Sequence, residues 1–236
     1  MTRRLGFSIV CCMQYATEFR VETKTREQAA YEVLRGAIIQ GRWADNEPLV
    51  ASRIATELGV SRITVANAFK RLSSEGFIKL VPHKEAVVAP LDRLDIRQVY
   101  LMRAELEALS ARESALRVQL TDLVELRQLN DELSGLERLS DRDVRQMRAV
   151  DLVFHRRLRQ VSGMSLLSST LDNLADRSEG YRARTLDSNQ MLMPTAERHL
   201  PILAAIEQRQ PEVAAGHMRQ HVLEGLDMIM AMLDRV

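Results

Sequence analysis

The hydrophobic pattern near the start of the chain predicts three helices in close succession. Apolar residues recur at three- and four-residue steps over about residues 25–40, and Gly41 follows as a stop signal, which indicates an amphipathic helix. Shorter helices are predicted over 51–58 and about 61–74, with Gly59 at the bend between them. The second and third helices therefore have the arrangement of a helix-turn-helix.

Two β-prone runs follow these helices. Phe77–Val81 and Ala86–Ala89 are separated by Pro82–Glu85, a spacing that predicts a β-hairpin. A helix, a helix-turn-helix and a hairpin in that order predict a winged helix over residues 25–90. We expect residues 1–24, which precede it, to form a flexible extension.

The remainder of the chain, residues 91–236, has helical periodicity and no convincing strand. Candidate helix breaks lie near Gln119, Ser140, Ser162, Gly180, Pro194 and Pro211. About six helices fit between these points, and an antiparallel bundle is their natural arrangement. The predicted fold is therefore mostly α: an N-terminal winged helix-turn-helix with a small hairpin, and a C-terminal all-α domain.

Charge and composition add two constraints. Residues 1–90 carry 13 basic and 9 acidic side chains, whereas residues 91–236 carry 20 and 23, so the excess of positive charge lies in the N-terminal part of the chain, where it suits a polyanion. The two cysteines are the adjacent Cys11 and Cys12, which excludes a disulfide framework and fits a reducing cytoplasm. No apolar run is long enough to cross a membrane, so we expect no membrane partner.

The turn between the second and third helices predicts where DNA binds. Residues at the start of a recognition helix meet base edges and phosphates when the helix enters the major groove. Arg62 is the leading candidate contact, while Ser61 could instead serve only as the helix N-cap. Basic residues at the helix end and in the wing could reach phosphates. The candidate DNA-binding residues are Ser61, Arg62, Ile63, Thr64, Lys70, Arg71, His83 and Lys84.

The run Leu58-Gly59-Val60-Ser61-Arg62 through Gly76-Phe77 resembles the winged helix of the GntR family of bacterial regulators, and the similarity extends over most of residues 25–90. The resemblance implies a DNA-binding transcription regulator. Three departures fall on functional positions: Ala66-Asn67 stands where the family commonly has Arg-Glu, Ala51-Ser52 replaces an acidic-basic pair, and Glu85 replaces the glycine at the wing tip. The operator sequence therefore cannot be transferred from the family.

Beyond residue 95 the chain is similar to the FadR-type branch of this family, with an FCD effector domain. The matching elements are Arg103 to Glu107, Asp151 to His155, Glu197 to His199 and Met218 to His221. The resemblance implies that Arg103 holds an anionic effector, a small organic acid. An intrahelical pair with Glu107 is the alternative reading of Arg103.

Four residues of these elements form a candidate metal site: Asp151, His155, His199 and His221. Asp151 and His155 are four residues apart and share one face of a helix, while the other two histidines come from later helices. Three imidazoles and one carboxylate suit Zn²⁺ first, with Ni²⁺ or Mn²⁺ as alternatives. Each histidine alone could equally be an ordinary core or surface residue, and we take His217, four residues before His221, as solvated.

These predictions combine into one function and two competing ones. We expect a cytoplasmic repressor, not an enzyme, that binds a pseudo-palindromic double-stranded operator as a homodimer and responds to a small carboxylate. A metal-dependent hydrolase with an accessory DNA-binding module is the alternative from another class. It lacks an obvious general base, since Glu197 is two residues from His199 and should point elsewhere. A DNA-binding protein without any ligand would leave Asp151 and the histidines unexplained.

Overall fold

The computed structural model describes residues 25–82, 84–138, 144–185 and 195–234. The predicted extension over 1–24 lies outside these ranges. The helices are α1 (Arg26–Ile39), α2 (Ala51–Leu58), α3 (Arg62–Ser74), α4 (Arg93–Arg117), α5 (Leu120–Glu137), α6 (Val144–Val161), α7 (Ser165–Thr185), α8 (Ala196–Glu207) and α9 (Pro211–Leu233). The strands are β1 (Pro48–Leu49), β2 (Ile78–Lys79) and β3 (Ala86–Val88). A mostly α fold is thereby confirmed.

The helix-turn-helix follows from two local signals. Gly59 adopts a left-handed backbone with φ of 64°, which a residue with a Cβ rarely takes, and so ends α2 with a sharp turn. Ser61 then caps α3, because its hydroxyl accepts a hydrogen bond from the backbone N–H of Thr64 at 3.1 Å. The apolar faces of α1 and α3 pack together around Leu34, Ile38, Val65 and Leu72, all buried.

The wing is a three-stranded antiparallel sheet of order β1-β3-β2. The predicted hairpin is confirmed as β2 and β3, with Ile78 paired to Val88. Strand β1, in which Leu49 pairs with Ala86, was not predicted from the sequence. Two residues are too few to show an alternating pattern, and this strand forms only because a distant partner and the burial of Leu49 hold it in place.

Six helices, α4 to α9, are described in the C-terminal part, as predicted. The 25-residue α4 begins at a capping box formed by Asp92 and Asp95 and packs against α6, α7, α8 and, most extensively, α9. Small residues on its buried stripe, which allow neighbouring helices to approach closely, are Ala104, Ala108, Ala111 and Ala115. Over the described ranges, no helix combines the length and apolar character needed to span a bilayer.

The predicted helix break at Gly180 is wrong, because α7 continues from Ser165 to Thr185. A glycine inside a helix costs about 1 kcal/mol relative to alanine, and packing routinely overrides that preference. Gly180 is buried, and it lines a small space together with Phe77 and Leu91, where α7 faces the winged helix. The same helix also contacts α1. It therefore belongs to the effector bundle and to the contact between the two halves of the protein.

Candidate metal centre and nucleic-acid interface

Three helices bring the four predicted metal ligands together. Asp151 and His155 lie one turn apart on α6, His199 lies on α8 and His221 on α9. The Nε2 atoms of His155 and His221 are 3.2 Å apart, and Asp151 Oδ1 lies 3.4 Å from His199 Nε2 and 3.8 Å from His155 Nε2. One ligand nitrogen from each of the three histidines falls within 4.8 Å of the others. The packing of α6, α8 and α9 therefore brings the four side chains to one point.

Two of these separations, 3.2 and 3.4 Å, match donors that share one small cation. Nitrogen and oxygen ligands lie about 2.0–2.2 Å from a zinc ion, so neighbouring ligands of one ion are roughly 3.0 to 3.5 Å apart. Asp151 Oδ1 and His199 Nε2 are both buried atoms without a hydrogen-bond partner among the described residues. With no proton between this carboxylate oxygen and this imidazole nitrogen, both lone pairs are unsatisfied. A cation bound between the two atoms would satisfy them.

Burial sets the protonation of the histidines. Burial, together with the neighbouring imidazoles, lowers the pKa of His155 well below its ordinary value, and burial lowers the pKa of His221 to about 3. Burial acts to raise the pKa of the Asp151 carboxyl, but the imidazoles of the three histidines outweigh it and the pKa is lowered. Neutral imidazoles and an ionised carboxylate are the forms that bind a metal.

Two residues outside the predicted set orient His199. Its Nδ1 lies 3.1 Å from Oδ1 of the buried Asn130 on α5, so Nδ1–H donates there and Nε2 keeps its lone pair. The ring of Phe154 stacks on the ring of His199 with centroids 4.0 Å apart and an angle of 5° between planes. Neither role was predicted from the sequence, although Phe154 lies inside the motif that ends at His155.

A small cavity of about 60 Å³ lies beside these ligands. Its lining combines three of the four candidate ligands, three arginines and several neutral residues: Asp151, His155, His221, Arg103, Arg182, Arg198, Tyr100, Thr195, Val222, Gly225 and Met228. Arg103 thus faces the site to which the resemblance assigned it. It also lies 3.7 Å from Glu107, so the alternative reading as an intrahelical pair holds at the same time.

Arg182, Tyr100 and Arg198 complete this lining without having been predicted. They come from α7, α4 and α8, and no short-range spacing in the sequence connects them. Arg198 is held by Glu224 at 3.0 Å and donates to the backbone oxygen of His221 at 2.9 Å. The arginines make the cavity positively charged, and the candidate metal ligands lie beside it. Such a cavity can receive an anion.

The start of α3 forms the candidate DNA surface. Arg62 and Ile63 are exposed, with 74% of Ile63 accessible. An apolar side chain at this point suits the methyl group of a thymine. Ser61 is occupied as the N-cap, and its hydroxyl lies 2.9 Å from that of Thr64. Arg62 and Ile63 are therefore the freer of the four predicted residues at this end of the helix.

The remaining predicted DNA contacts differ in their surroundings. Lys70 and Lys84 are exposed, whereas His83 lies outside the described residues. Arg71 turns back onto α1, where it lies 3.6 Å above the ring of Tyr31 and donates to Gln28 Oε1 at 2.7 Å. A phosphate contact by Arg71 stays a prediction, and it would compete with these partners.

Comparison with known proteins identifies the family. Residues 26–88 match the model described as bacterial regulatory proteins of the gntR family, and residues 98–224, more than half of the chain, match the FCD domain. The chain belongs to the GntR family of bacterial regulatory proteins and carries an FCD domain. It is therefore a transcription regulator of this type, as the resemblance in the sequence implied.

Individual relatives agree with the family. The GntR-family chain is 26% identical over 203 residues to the HTH-type transcriptional repressor RspR of Escherichia coli, covering 86% of this chain and 88% of that protein. It is 26% identical over 180 residues to the Nta operon transcriptional regulator of Aminobacter aminovorans, covering 76% and 83%. The structure of E. coli McbR/YncC superposes with a TM-score of 0.76 at 18% identity, covering 89% of this chain and 99% of that one, which shows a shared fold.

The comparisons also bear on the alternative of a hydrolase. The matched families and these relatives are regulators of transcription. Among the described residues that line the cavity, Asp151 is the one carboxylate, and it lies against the histidines. A water activated at the metal would need a separate base positioned across the cavity.

Proposed function

We propose that this GntR-family regulator is a ligand-responsive repressor whose C-terminal domain binds one divalent metal and a small carboxylate. The observation that carries the proposal is the convergence of Asp151 and three buried histidines on one point beside an arginine-lined cavity. Zn²⁺ is the proposed ion, with Ni²⁺ or Mn²⁺ as substitutes, because imidazole and carboxylate ligands suit all three. Within this proposal, residues 25–90 form the DNA-binding domain and residues 91–236 form the effector domain.

Separate side chains of the protein would bind the metal and the carboxylate within the effector site. Asp151, His155, His199 and His221 would hold the metal, whose open coordination positions would supply a Lewis-acidic contact for a carboxylate oxygen. Arg103 would bind the same or a second oxygen through its guanidinium, which forms charge-assisted hydrogen bonds to carboxylates. Asn130 and Phe154 would keep His199 in the orientation that points Nε2 at the metal.

The DNA-binding unit is proposed to be a cytoplasmic homodimer. A single recognition helix reads only a few base pairs, whereas a two-fold pair reaches two half-sites of a pseudo-palindrome in successive turns of the groove. Arg62 and Ile63 would contact base edges, and Ser61, Thr64, Lys70 and the wing would contact the backbone. Light scattering on the full chain, free and bound to DNA, tests the dimer, and a monomer in both states would refute it.

One experiment tests the whole proposal. Full-length protein is incubated with sheared genomic DNA of its source organism, and the retained fragments are sequenced to find the operator. Binding to that operator is then measured at fixed salt with and without Zn²⁺ and a panel of small carboxylates. We expect at least one carboxylate to change operator affinity only when metal is present. Sequence-independent retention of DNA, or an affinity that no combination of metal and acid changes, would refute the proposed function.

A further inference from the structure

The cavity holds more positive charge than one carboxylate group would balance. Besides Arg103, its wall contains Arg182 from α7, and the two guanidiniums share Tyr100. The guanidinium carbon of Arg103 lies 5.1 Å from the centre of the Tyr100 ring, and Arg182 is hydrogen-bonded to the Tyr100 side chain. The phenol ring therefore fixes two cationic groups side by side at the same cavity.

Among the residues that the structure describes, neither guanidinium has a close carboxylate of its own. Arg103 lies 3.7 Å from Glu107, but that carboxylate is held more closely, at 2.8 Å, by the buried Arg159. A shared carboxylate cannot neutralise both arginines, so the charge on Arg103 is only partly compensated.

The same arrangement recurs at the second arginine. Arg182 lies 3.7 Å from Glu179, which is held at 3.3 Å by Arg148. Burial acts to lower the pKa of Arg182, but Tyr100, Glu179 and Asp151 outweigh it and the pKa is raised, so this group stays cationic. Two cations thus face one cavity, and the glutamate beside each is held more closely by another arginine.

Both arginines also present a buried donor without a partner. The Nε atoms of Arg103 and Arg182 are inaccessible to solvent and make no hydrogen bond within the described ranges. Side-chain exposure is only 10% for Arg103 and 21% for Arg182. Leaving a charged donor unsatisfied in such surroundings is costly, and an anionic ligand oxygen would remove that cost.

We infer that the effector is a small dicarboxylate, with one carboxylate at the metal and Arg103 and the other at Arg182. This inference rests on the proposed function and names its ligand class. The small cavity, about 60 Å³, favours a carboxylate over the larger phosphate as the second group, and short dicarboxylates over long ones. Arg198 is a weaker candidate for the second anionic group, since Glu224 already compensates it at 3.0 Å.

The test compares acids of equal length that carry one or two charges. Metal-loaded full-length protein is titrated with malonate, succinate and glutarate, and in parallel with propionate, butyrate and valerate, and binding is measured by calorimetry. We expect the best dicarboxylate to bind about tenfold to a hundredfold more tightly than its monocarboxylate partner, as one additional charged hydrogen-bonding group contributes. Phosphoglycolate is included as an acid whose second anionic group is a phosphate, which carries about two negative charges at pH 7.

Variants then locate the second carboxylate. Arg182→Met should remove most of the preference for two charges and change monocarboxylate affinity by less than about threefold, while Arg182→Lys should restore part of it. Arg127→Met, at an exposed arginine on α5 paired with Glu207, is the matched control and should change neither affinity.

Four outcomes would count against the inference or against the proposed function. Equal affinity for mono- and dicarboxylates, or an Arg182→Met variant that keeps the full preference, would overturn the inference and leave the proposed function intact. Tighter binding of phosphoglycolate than of every dicarboxylate would overturn the choice of a carboxylate as the second group. Binding of neither acid series by metal-loaded protein would instead count against the carboxylate effector of the proposed function.

Discussion

The guanidinium of Arg35 on α1 lies 2.5 Å from the carboxylate of Asp176 on α7, and this ion pair joins the winged helix to the effector domain. Arg35 also lies 5.2 Å from the centre of the Phe77 ring and 3.6 Å from Glu75. Only 10% of the Asp176 side chain is exposed, and this burial raises the pKa of its carboxyl despite the nearby Arg35. The contact between the domains is therefore specific and partly desolvated.

Removing this pair should loosen the domains. Asp176→Ala is expected to lower the free energy of unfolding by about 1 to 3 kcal/mol, because it leaves a largely buried guanidinium with a more distant carboxylate. It should also reduce the change in operator affinity that the effector produces. The control is Glu57→Ala, which removes an exposed partner of Arg42 and should cost less than about 1 kcal/mol. Equal losses of unfolding free energy for Asp176→Ala and Glu57→Ala, measured in urea, would contradict the stabilising role of the Arg35–Asp176 pair.

Arg62 is expected to contribute directly to operator recognition. Arg62→Ala should weaken operator binding by about 1 to 3 kcal/mol and relax sequence preference, because an arginine at a base edge makes two hydrogen bonds to guanine. Fluorescence anisotropy at fixed salt, with operator and random DNA, measures both effects. Arg127→Ala on α5 serves as the control. Affinity that is unchanged for both DNAs would show that α3 does not enter the groove as proposed.

His155 and His217 provide a matched pair for the metal site. His155 is buried among the proposed ligands, whereas His217 is exposed on α9, as predicted. His155→Ala should lower metal content well below one ion per chain and lower the melting temperature, since a bound metal stabilises the folded state. His217→Ala should change neither. Elemental analysis and thermal unfolding decide it, and equal metal retention by both variants would contradict the ligand assignment.

Tyr31 gives a pH dependence whose sign follows from its surroundings. Burial and the hydrogen bond that its hydroxyl donates to Glu75 at 2.7 Å raise the pKa of Tyr31 to about 12. A phenol with a raised pKa in the folded state contributes stability that is fully present below pH 10, its unfolded pKa. That contribution is lost as the pH rises towards 12.

The Tyr31→Phe variant should therefore be less stable than wild type by about 1.5 to 3 kcal/mol at pH 8, as expected for a hydrogen bond to a charged group. The difference should shrink between pH 10 and 12. Urea unfolding across this range measures it, and a difference independent of pH would show that the phenol proton has no part in stability.

Local signals account for what the sequence predicted well. Gly59 and Ser61 specify a turn and a cap within a few residues, and the four-residue spacing of Asp151 and His155 places both on one helix face. The features that were not predicted depend on contacts between residues far apart in the sequence. Leu49 is a strand residue only because Ala86 lies beside it, and Arg182 reaches the cavity from a helix whose interior glycine read as a break. Such long-range contacts leave no periodic pattern in the sequence.

Helix α7 contacts both halves of the protein within a few residues of its sequence. Ser178 accepts a hydrogen bond from Arg103 at 3.0 Å, and Asp176, just over half a turn away, holds Arg35. Arg177, between them, lies against Gly76 at the end of α3. If ligand and DNA both act on this helix, thermodynamic linkage makes the effect mutual: operator DNA must change the affinity for the acid by the same factor as the acid changes the affinity for DNA. Promoter occupancy would then set the concentration of metabolite at which the protein responds.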